Sequence, residues 1–179
     1  AGVFVVRERG IAWAGTDRIM TQPITIAEPQ RITTPYRLRI PQLGINAMVQ
    51  KTGITADGTI GIPTNYTDVA WFTGSVQPGE RGNAIIVGHR DTRLFAPGVF
   101  RELKNLKIGD DVYVDFKDGR IFHFRVVNKK NYYENTDRLA EIIGPTIKTL
   151  LNLITCEGAW NQAVKRYDQR LVVFTELVP

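Results

Sequence analysis

The sequence is poor in cysteine and histidine and contains no long apolar run. Its single cysteine, Cys156, can form no internal disulfide and belongs to no cluster of thiolate metal ligands. No window reaches the ~18 consecutive apolar residues of a transmembrane helix. The acidic residues are scattered without the spacing of a calcium loop, so we expect neither a metal nor a cofactor. Three roles remain open for Cys156: an inert small hydrophobe, an intermolecular crosslink, or a nucleophile.

The charge balance is basic but dispersed. Twenty-three Lys and Arg against 18 Asp and Glu leave a net charge of +5, which favours nucleic acid, phospholipid headgroups or an anionic cell wall as surroundings. The densest basic cluster is Lys165, Arg166 and Arg170. It is interrupted by Asp168 and lacks the repeated aromatic residues of a single-strand binder, so no nucleic-acid partner is predicted.

The composition changes near Tyr36. Residues 1–35 contain Pro23, Pro29 and Pro35, and no helix can run through prolines at that spacing, so this segment is predicted to be an extended arm or linker. Residues 36–179 are long enough for one core of ordinary size. The chain opens on Ala1 without a signal-peptide layout, which is typical of a trimmed product and allows an upstream membrane anchor.

Short β-type runs separated by turn residues dominate from residue 38 onward. Two Asp-Gly pairs, at 57–58 and 118–119, each predict a hairpin. Six or more short strands are typical of a barrel or a sandwich. The predicted strands are LRIP (38–41), INAMVQ (45–50), TIGIP (59–63), AIIVG (84–88), DVYVDF (111–116), IFHFRVV (121–127), LLNLIT (150–155) and RLVVFTEL (170–177).

Helix signals are few and short. Residues 100–109 place three apolar side chains on one face and predict one or two helical turns before Gly109. Residues 136–144 predict a second short helix, which Gly144 and Pro145 end. The predicted apolar faces are Phe100, Leu103 and Leu106 in the first segment, and Leu139, Ile142 and Ile143 in the second.

A nucleophilic thiol needs a neighbour that stabilises its thiolate or accepts its proton, and histidine does this best near neutral pH. His123 alternates with two phenylalanines and is predicted to be an exposed strand residue. His89 follows the buried-type strand AIIVG and precedes a polar loop, which is a position suited to proton transfer. Arg170 opens the last strand and is either a surface charge or a donor to an oxyanion. If the three strand ends meet, Cys156, His89 and Arg170 form an acyl-transfer site; otherwise they are unrelated.

Three further residues near these positions have two interpretations each. Alternation along the strand puts Leu153 and Thr155 on one face and Cys156 on the other, so Thr155 is either a packing residue or a contact for a substrate backbone. Asp91 either orients the imidazole of His89 or is an exposed loop carboxylate. The backbone amide of Glu157 follows the thiol and is a candidate oxyanion donor.

The run NLITC, with Arg170 fourteen residues after Cys156 and GHRD upstream, resembles the sortase signature Thr-Leu-x-Thr-Cys. Asn152 stands where that family usually has Thr. The similarity covers about residues 36–179 and includes IPQLGI, WFTGSVQPGERGNAIIVGHRD, PGVF and LKIGDDV, all in sortase order. The last elements are most similar to the class F sortases of Gram-positive bacteria.

The resemblance implies a closed eight-stranded β-barrel with a few short helices, in a catalytic domain at residues 36–179 that joins surface proteins to the cell envelope. It implies Cys156 as nucleophile, His89 as general acid and base, and Arg170 as the group that steadies substrate and oxyanion. The substrate would be an LPxTG-like sorting signal, cut between Thr and Gly. The acceptor would be an amine of a peptidoglycan precursor or a pilin. The enzyme would face outward from the membrane, held by a segment upstream of this chain, and residues 129–150 would form one wall of the peptide groove.

Two other classes of function stay open from the residues themselves. One is a different cysteine acyl-transfer enzyme, either a protease or an L,D-transpeptidase, although the His-Gly-Cys signature of the latter is missing before Cys156. The other is a noncatalytic β-barrel binding module, in which Cys156 is simply buried and stays inert to thiol reagents until the protein unfolds.

Overall fold

The computed structural model describes residues 34–134 and 139–179. The predicted arm lies outside them except for Thr34 and Pro35. Within these ranges the chain forms eight strands, two single-turn 3-10 helices at Pro41–Leu43 and Leu103–Asn105, and one short α-helix, α1, at Leu139–Ile143. The strands are β1 Pro35–Ile40, β2 Ile45–Thr52, β3 Val69–Phe72, β4 Gly82–Gly88, β5 Asp111–Phe116, β6 Ile121–Tyr133, β7 Thr149–Asn161 and β8 Arg166–Leu177.

The eight strands close into a barrel in the order β1-β2-β3-β4-β7-β8-β6-β5, with β5 paired back to β1. Two of the pairings, β2 with β3 and β4 with β7, are parallel, and the others are antiparallel. Closure gives every strand two neighbours, so no edge is left to pair with another chain. The predicted closed eight-stranded barrel is therefore confirmed.

The barrel interior is filled by the inward-facing residues of the strands, as the two-residue period requires. Leu38 and Ile40 on β1 and Leu151 and Leu153 on β7 are fully buried in one cluster. Each such side chain contributes about 1.5–3 kcal/mol when it is removed from water. Three side chains of the segment after β4 join the same cluster and confirm the face predicted for it: Phe100, Leu103 and Leu106.

Seven of the eight predicted strands are present, and one is wrong. The Asp57-Gly58 turn forms, with Gly58 N–H donating to the Thr55 carbonyl at 2.9 Å and with a positive φ of 79° at Gly58. Only the single bridge between Ile54 and Ile60 follows it, so residues 59–63 are not a strand. Ile60 packs against a small buried cluster, but Ile62 is 62% exposed, so the run lacks the continuous buried face of a barrel strand. The strand that completes the barrel is instead β3, which the sequence analysis missed.

Two local predictions need correction. Strand β6 continues to Tyr133 and pairs with β8, so the wall predicted at residues 129–150 begins as strand and also contains α1 and the first two residues of β7. Helix α1 ends at Ile143 as predicted, but its apolar face is incomplete because Ile142 is buried and Ile143 is 46% exposed. The first residues of the predicted segment, 136–138, lie outside the described residues. In the part of the chain that the structure describes, no helix has the length and hydropathy to cross a membrane.

Candidate active site

Strand pairing brings Cys156 and Arg170 together. The two residues are direct cross-strand partners in the antiparallel pair of β7 and β8. Directly opposite residues project to the same face of a sheet with Cβ atoms about 4.5–5.5 Å apart. Leu153 packs in the interior of the barrel while Cys156 lies on the other face, as the alternation predicted. The thiol and the guanidinium therefore share the outer face of the barrel wall.

The guanidinium of Arg170 is held by three hydrogen bonds. Its Nη1 donates to the backbone carbonyls of Tyr167 and Gln169, each at 2.8 Å. Its Nη2 donates to Oε1 of Glu134 at 3.0 Å, and the same oxygen accepts from Nη1 of Arg166 at 2.8 Å. Sequence reasoning missed Glu134, because its pairing with Arg170 depends on the β6–β8 register and has no local signal.

Strand β4 places His89 near the thiol. The parallel pairing of β4 with β7 ends at Val87 and Ile154, and the Thr155 hydroxyl then donates to the Gly88 carbonyl at 2.8 Å. This bond extends the β4–β7 connection to the residue before His89. Position 88 has no room for a side chain, because a Cβ there would lie 2.5 Å from the ring of Phe100. Thr155 is thus a buried residue that fixes the chain beside the histidine.

The imidazole of His89 is oriented by a backbone carbonyl. Its Nε2 lies 2.9 Å from the carbonyl oxygen of Pro63, and its ring centroid is 4.7 Å from that of Tyr66. Because a carbonyl only accepts, Nε2 carries the proton in this bond and Nδ1 is the nitrogen left to exchange one. A carbonyl contact of this kind has no sequence signal.

The structure contradicts the interpretation of Asp91 as an exposed loop carboxylate. Its side chain is only 3% exposed and makes an ion pair with Arg101 and another with Arg90, whose Nε lies 3.4 Å away. The Tyr167 hydroxyl also donates to it at 2.5 Å. Among the described residues none of its hydrogen bonds goes to His89. Asp91 instead ties the loop after β4 to the start of β8.

Glu157 lies where β7 departs from regular pairing. A register shift separates its pairing with Gln169 from the next pair along the strands, and such a bulge re-aims the chain. The Glu157 side chain accepts a hydrogen bond from Nη1 of Arg90 at 2.9 Å. The role predicted for its backbone amide stays a prediction.

A cavity of about 390 Å³ lies between the loop after β4 and the hairpin formed by β7 and β8. Cys156, His89 and Asp91 all line it. Arg170 reaches this region from the next strand, as the cross-strand neighbour of the thiol. The other lining residues are Ile62, Pro63, Thr64, Tyr66, Arg90, Thr92, Arg93, Phe95, Trp160, Lys165, Arg166 and Tyr167.

The electrostatics of this cavity disfavour the thiolate of Cys156. Burial raises the pKa of Cys156 above its ordinary value, and this effect exceeds the attraction of the thiolate to Arg170. Arg90 also favours the thiolate, whereas the carboxylates of Glu134 and Glu157 oppose it. The thiol is half-buried and lines the cavity, which is not the position of a core hydrophobe.

The second histidine is engaged elsewhere. Nε2 of His123 lies 2.7 Å from Oδ1 of Asp111, and the ring stacks on Tyr113 with centroids 4.6 Å apart. The hydrogen bond from His123 lowers the pKa of Asp111. His123 is not among the residues that line the thiol cavity. His123 was predicted to be exposed, but it is half-buried and paired with Asp111.

Asn152 has a structural use that a threonine could not supply. Its fully buried amide nitrogen donates to Oδ1 of Asn83 at 3.1 Å and to the carbonyl of Ile142 at 2.6 Å. Asn83 in turn donates to the Gly144 carbonyl at 2.5 Å. Two side-chain amides thus fasten the end of α1 to the barrel wall, which explains the residue at this position of NLITC.

Comparison with known proteins identifies relatives of the fold and of the sequence. The sequence model of the family described as Sortase domain matches residues 38–178. No curated protein matches the sequence significantly. Similar solved structures include a sortase D5 transpeptidase of Clostridium perfringens, at 19% identity and a TM-score of 0.61, with 82% of this chain and 79% of that chain covered.

Two more solved structures show the same fold. Sortase C1 of Streptococcus agalactiae is 18% identical with a TM-score of 0.63, and the match covers 80% of this chain and 68% of that one. Sortase A of Listeria monocytogenes is 19% identical with a TM-score of 0.59, and the match covers 82% of this chain and 88% of that one.

Proposed function

Because this chain belongs to the sortase family, we propose that it is a cysteine transpeptidase that cleaves an LPxTG-like sorting signal between Thr and Gly. The acyl group passes through a thioester on Cys156 to an amine of the cell envelope. Residues 36–179 form the catalytic domain, and residues 1–35 are an arm or linker. The enzyme acts at the outer face of the cell membrane, held there by a segment upstream of this chain. Its subclass is class F.

One arrangement carries the proposal: a half-buried thiol and an imidazole line the same cavity, and an arginine is the direct cross-strand partner of the thiol. A nucleophile, a proton carrier and a cationic donor are the three groups that acyl transfer at a carbonyl needs. This arrangement supports Cys156, His89 and Arg170 in those roles. It does not favour a binding module with an inert core cysteine.

The first half-reaction forms the thioester. The thiolate of Cys156 attacks the threonine carbonyl carbon, and the carbonyl oxygen becomes an oxyanion that Arg170 and the Glu157 amide stabilise. The carbon–nitrogen bond to glycine then breaks, and the glycine amine leaves with a proton from His89. Since Nε2 of His89 donates to the Pro63 carbonyl, the transferred proton comes from Nδ1.

The second half-reaction reverses these proton movements. An amine of a peptidoglycan precursor or a pilin attacks the thioester carbonyl, and neutral His89 takes the amine proton. The carbon–sulfur bond breaks and regenerates the thiolate of Cys156. Burial raises the pKa of the thiol and so disfavours the thiolate in the resting enzyme. A bell-shaped dependence of kcat/KM on pH is expected.

Product analysis tests the proposal. An LPATG peptide is incubated with the enzyme, with and without an added amine, and the products are separated by chromatography. We expect an amide product when the amine is present, and no cleavage by Cys156→Ala or Arg170→Ala although both variants fold. Turnover by either variant would contradict the site. Hydrolysis alone, unaffected by the amine, would favour a protease instead.

A further inference from the structure

The thiol cavity carries an excess of positive charge. Four cationic side chains line it, Arg90, Arg93, Lys165 and Arg166, against the single carboxylate of Asp91. These four cations come from two separate elements of the chain. The loop after β4 supplies the first two cations, and the hairpin between β7 and β8 supplies the others.

Two of these cations are neutralised and two are not. Arg90 pairs with Asp91 and Glu157, and Arg166 pairs with Glu134. The ammonium of Lys165 donates to the amide oxygen of Gln162 at 3.3 Å. Arg93 and Lys165 have no carboxylate partner within residues 34–134 and 139–179.

Side-chain contacts join the two elements that carry these charges, the loop after β4 and the hairpin of β7 and β8. The Asp91 carboxylate accepts from the Tyr167 hydroxyl across the gap at 2.5 Å, and the rings of Phe95 and Trp160 meet edge to face at 5.5 Å. Trp160 also contacts Tyr167, with centroids 5.2 Å apart. Phe95 holds a φ of 60°, a left-handed conformation that persists only where the surroundings fix it. Phe95, Trp160 and Tyr167 thus form an aromatic cluster that lines the cavity together with Arg93 and Lys165, and we call these two cations the rim.

The position of this rim relates it to one side of the scissile bond. Arg93 lies four residues after His89 in the same loop, and both residues line the cavity. In the proposed function, which this inference rests on, His89 gives its proton to the departing amine. The segment that follows the scissile bond therefore leaves through the His89 side of the cavity. The acceptor amine enters by the same side, because the second half-reaction reverses the first.

We propose that this rim binds a carboxylate, carried by a residue just after the scissile glycine in the donor peptide and by the incoming acceptor. Two uncompensated cations that line the same cavity as this aromatic cluster favour an acidic side chain and disfavour a basic one. The rim thus selects substrates by charge on the leaving side. In the described part of the chain, no hydrogen bond or ion pair joins Arg93 or Lys165 to the three proposed catalytic side chains, so the rim can be altered without removing a bond of the site.

Peptides that differ only in charge test the proposal. LPATG is extended by Glu, Gln or Lys, and kcat/KM is measured for each at low and high salt. The expected order is Glu, Gln, Lys, with about tenfold between the first and the last at low salt and less at high salt. Arg93→Glu and Lys165→Glu are each expected to shrink this ratio, and the double variant to invert it. Lys117→Glu, an exposed charge of equal size in the β5–β6 turn, leaves the ratio unchanged.

A binding measurement separates this inference from the proposed function. In Cys156→Ala no thioester forms, and fluorescence anisotropy of labelled peptides reports affinity alone. Tighter binding of the Glu peptide, reversed in the Arg93→Glu and Lys165→Glu background, supports the rim even if the wild type cleaves nothing. Equal affinities for the three peptides, or no binding of any, would overturn it. Cleavage without charge preference would overturn the rim and leave the transpeptidase intact.

Discussion

Thr155 offers a sharp test of how the fold positions the site. Its buried hydroxyl donates to the carbonyl of Gly88, directly before His89, at 2.8 Å. Thr175 is a matched control, because it is also buried and its hydroxyl donates to the carbonyl of Leu151 at the same 2.8 Å, in the barrel wall. Replacing either threonine by valine removes one buried hydrogen bond and keeps the branched shape.

The two substitutions are expected to cost the same stability and different activity. Each leaves a buried carbonyl short of a donor, which lowers the free energy of unfolding by about 1–3 kcal/mol. Only Thr155→Val releases the chain beside His89, and a misplacement of about 1 Å at a reacting group lowers the rate about 100-fold. Thr155→Val should therefore lose about 10- to 100-fold in kcat, and Thr175→Val less than about threefold.

Urea unfolding followed by tryptophan fluorescence gives the stabilities, and peptide cleavage under conditions where both variants are folded gives kcat. Thr155→Ser, which keeps the hydroxyl, should recover most of the activity. Full activity in Thr155→Val would refute the positioning role. An equal loss in Thr175→Val would also refute it, since a general loss of stability would then explain both results.

Three further substitutions follow from the contacts. Glu134→Gln removes a carboxylate that disfavours the thiolate of Cys156 and pairs with Arg170. The pKa of Cys156 should therefore fall, and alkylation of the thiol at a fixed pH below that pKa should become faster. Slower alkylation would contradict this. Arg170→Lys keeps the positive charge but loses the planar pair of N–H donors of the guanidinium. The value of kcat/KM should then drop about 100-fold or more while peptide affinity is retained. Unchanged kcat/KM would contradict the oxyanion role. Asn152→Ala should lower the free energy of unfolding by about 1–3 kcal/mol in urea, whereas exposed Asn46→Ala should not; equal values would remove the anchoring role of the buried amide.

Turn chemistry made most of the barrel predictable, and its limits explain the errors. Asp118-Gly119 joins β5 and β6 as predicted, because both flanking runs have partners and a core to face. The same dipeptide at 57–58 makes only a turn with one bridge, and the run after it has no continuous buried face, since Ile62 is exposed. Strand β3 was missed because it is four residues long and its partners lie on β2 and β4, a contact that no local pattern encodes.

The site was predictable to the extent that chain order and strand ends determine it. Cys156 and Arg170 pair across β7 and β8 because the hairpin fixes their register. The partners that orient these groups were not predictable, since the Pro63 carbonyl and Glu134 reach them from distant segments. Asp91 was misread because proximity in sequence to His89 does not determine where a side chain points; its charge is compensated by arginines and a tyrosine instead.

Intact-protein mass spectrometry of the enzyme mixed with an LPATG-containing peptide, without any amine, detects the proposed thioester itself. We expect a mass increase equal to the acyl portion that ends at threonine. It should be located on Cys156, be absent in Cys156→Ala, and be discharged as an amide when an amine is added. A peptide that is cleaved with no adduct on Cys156, or an adduct on another residue, would contradict it.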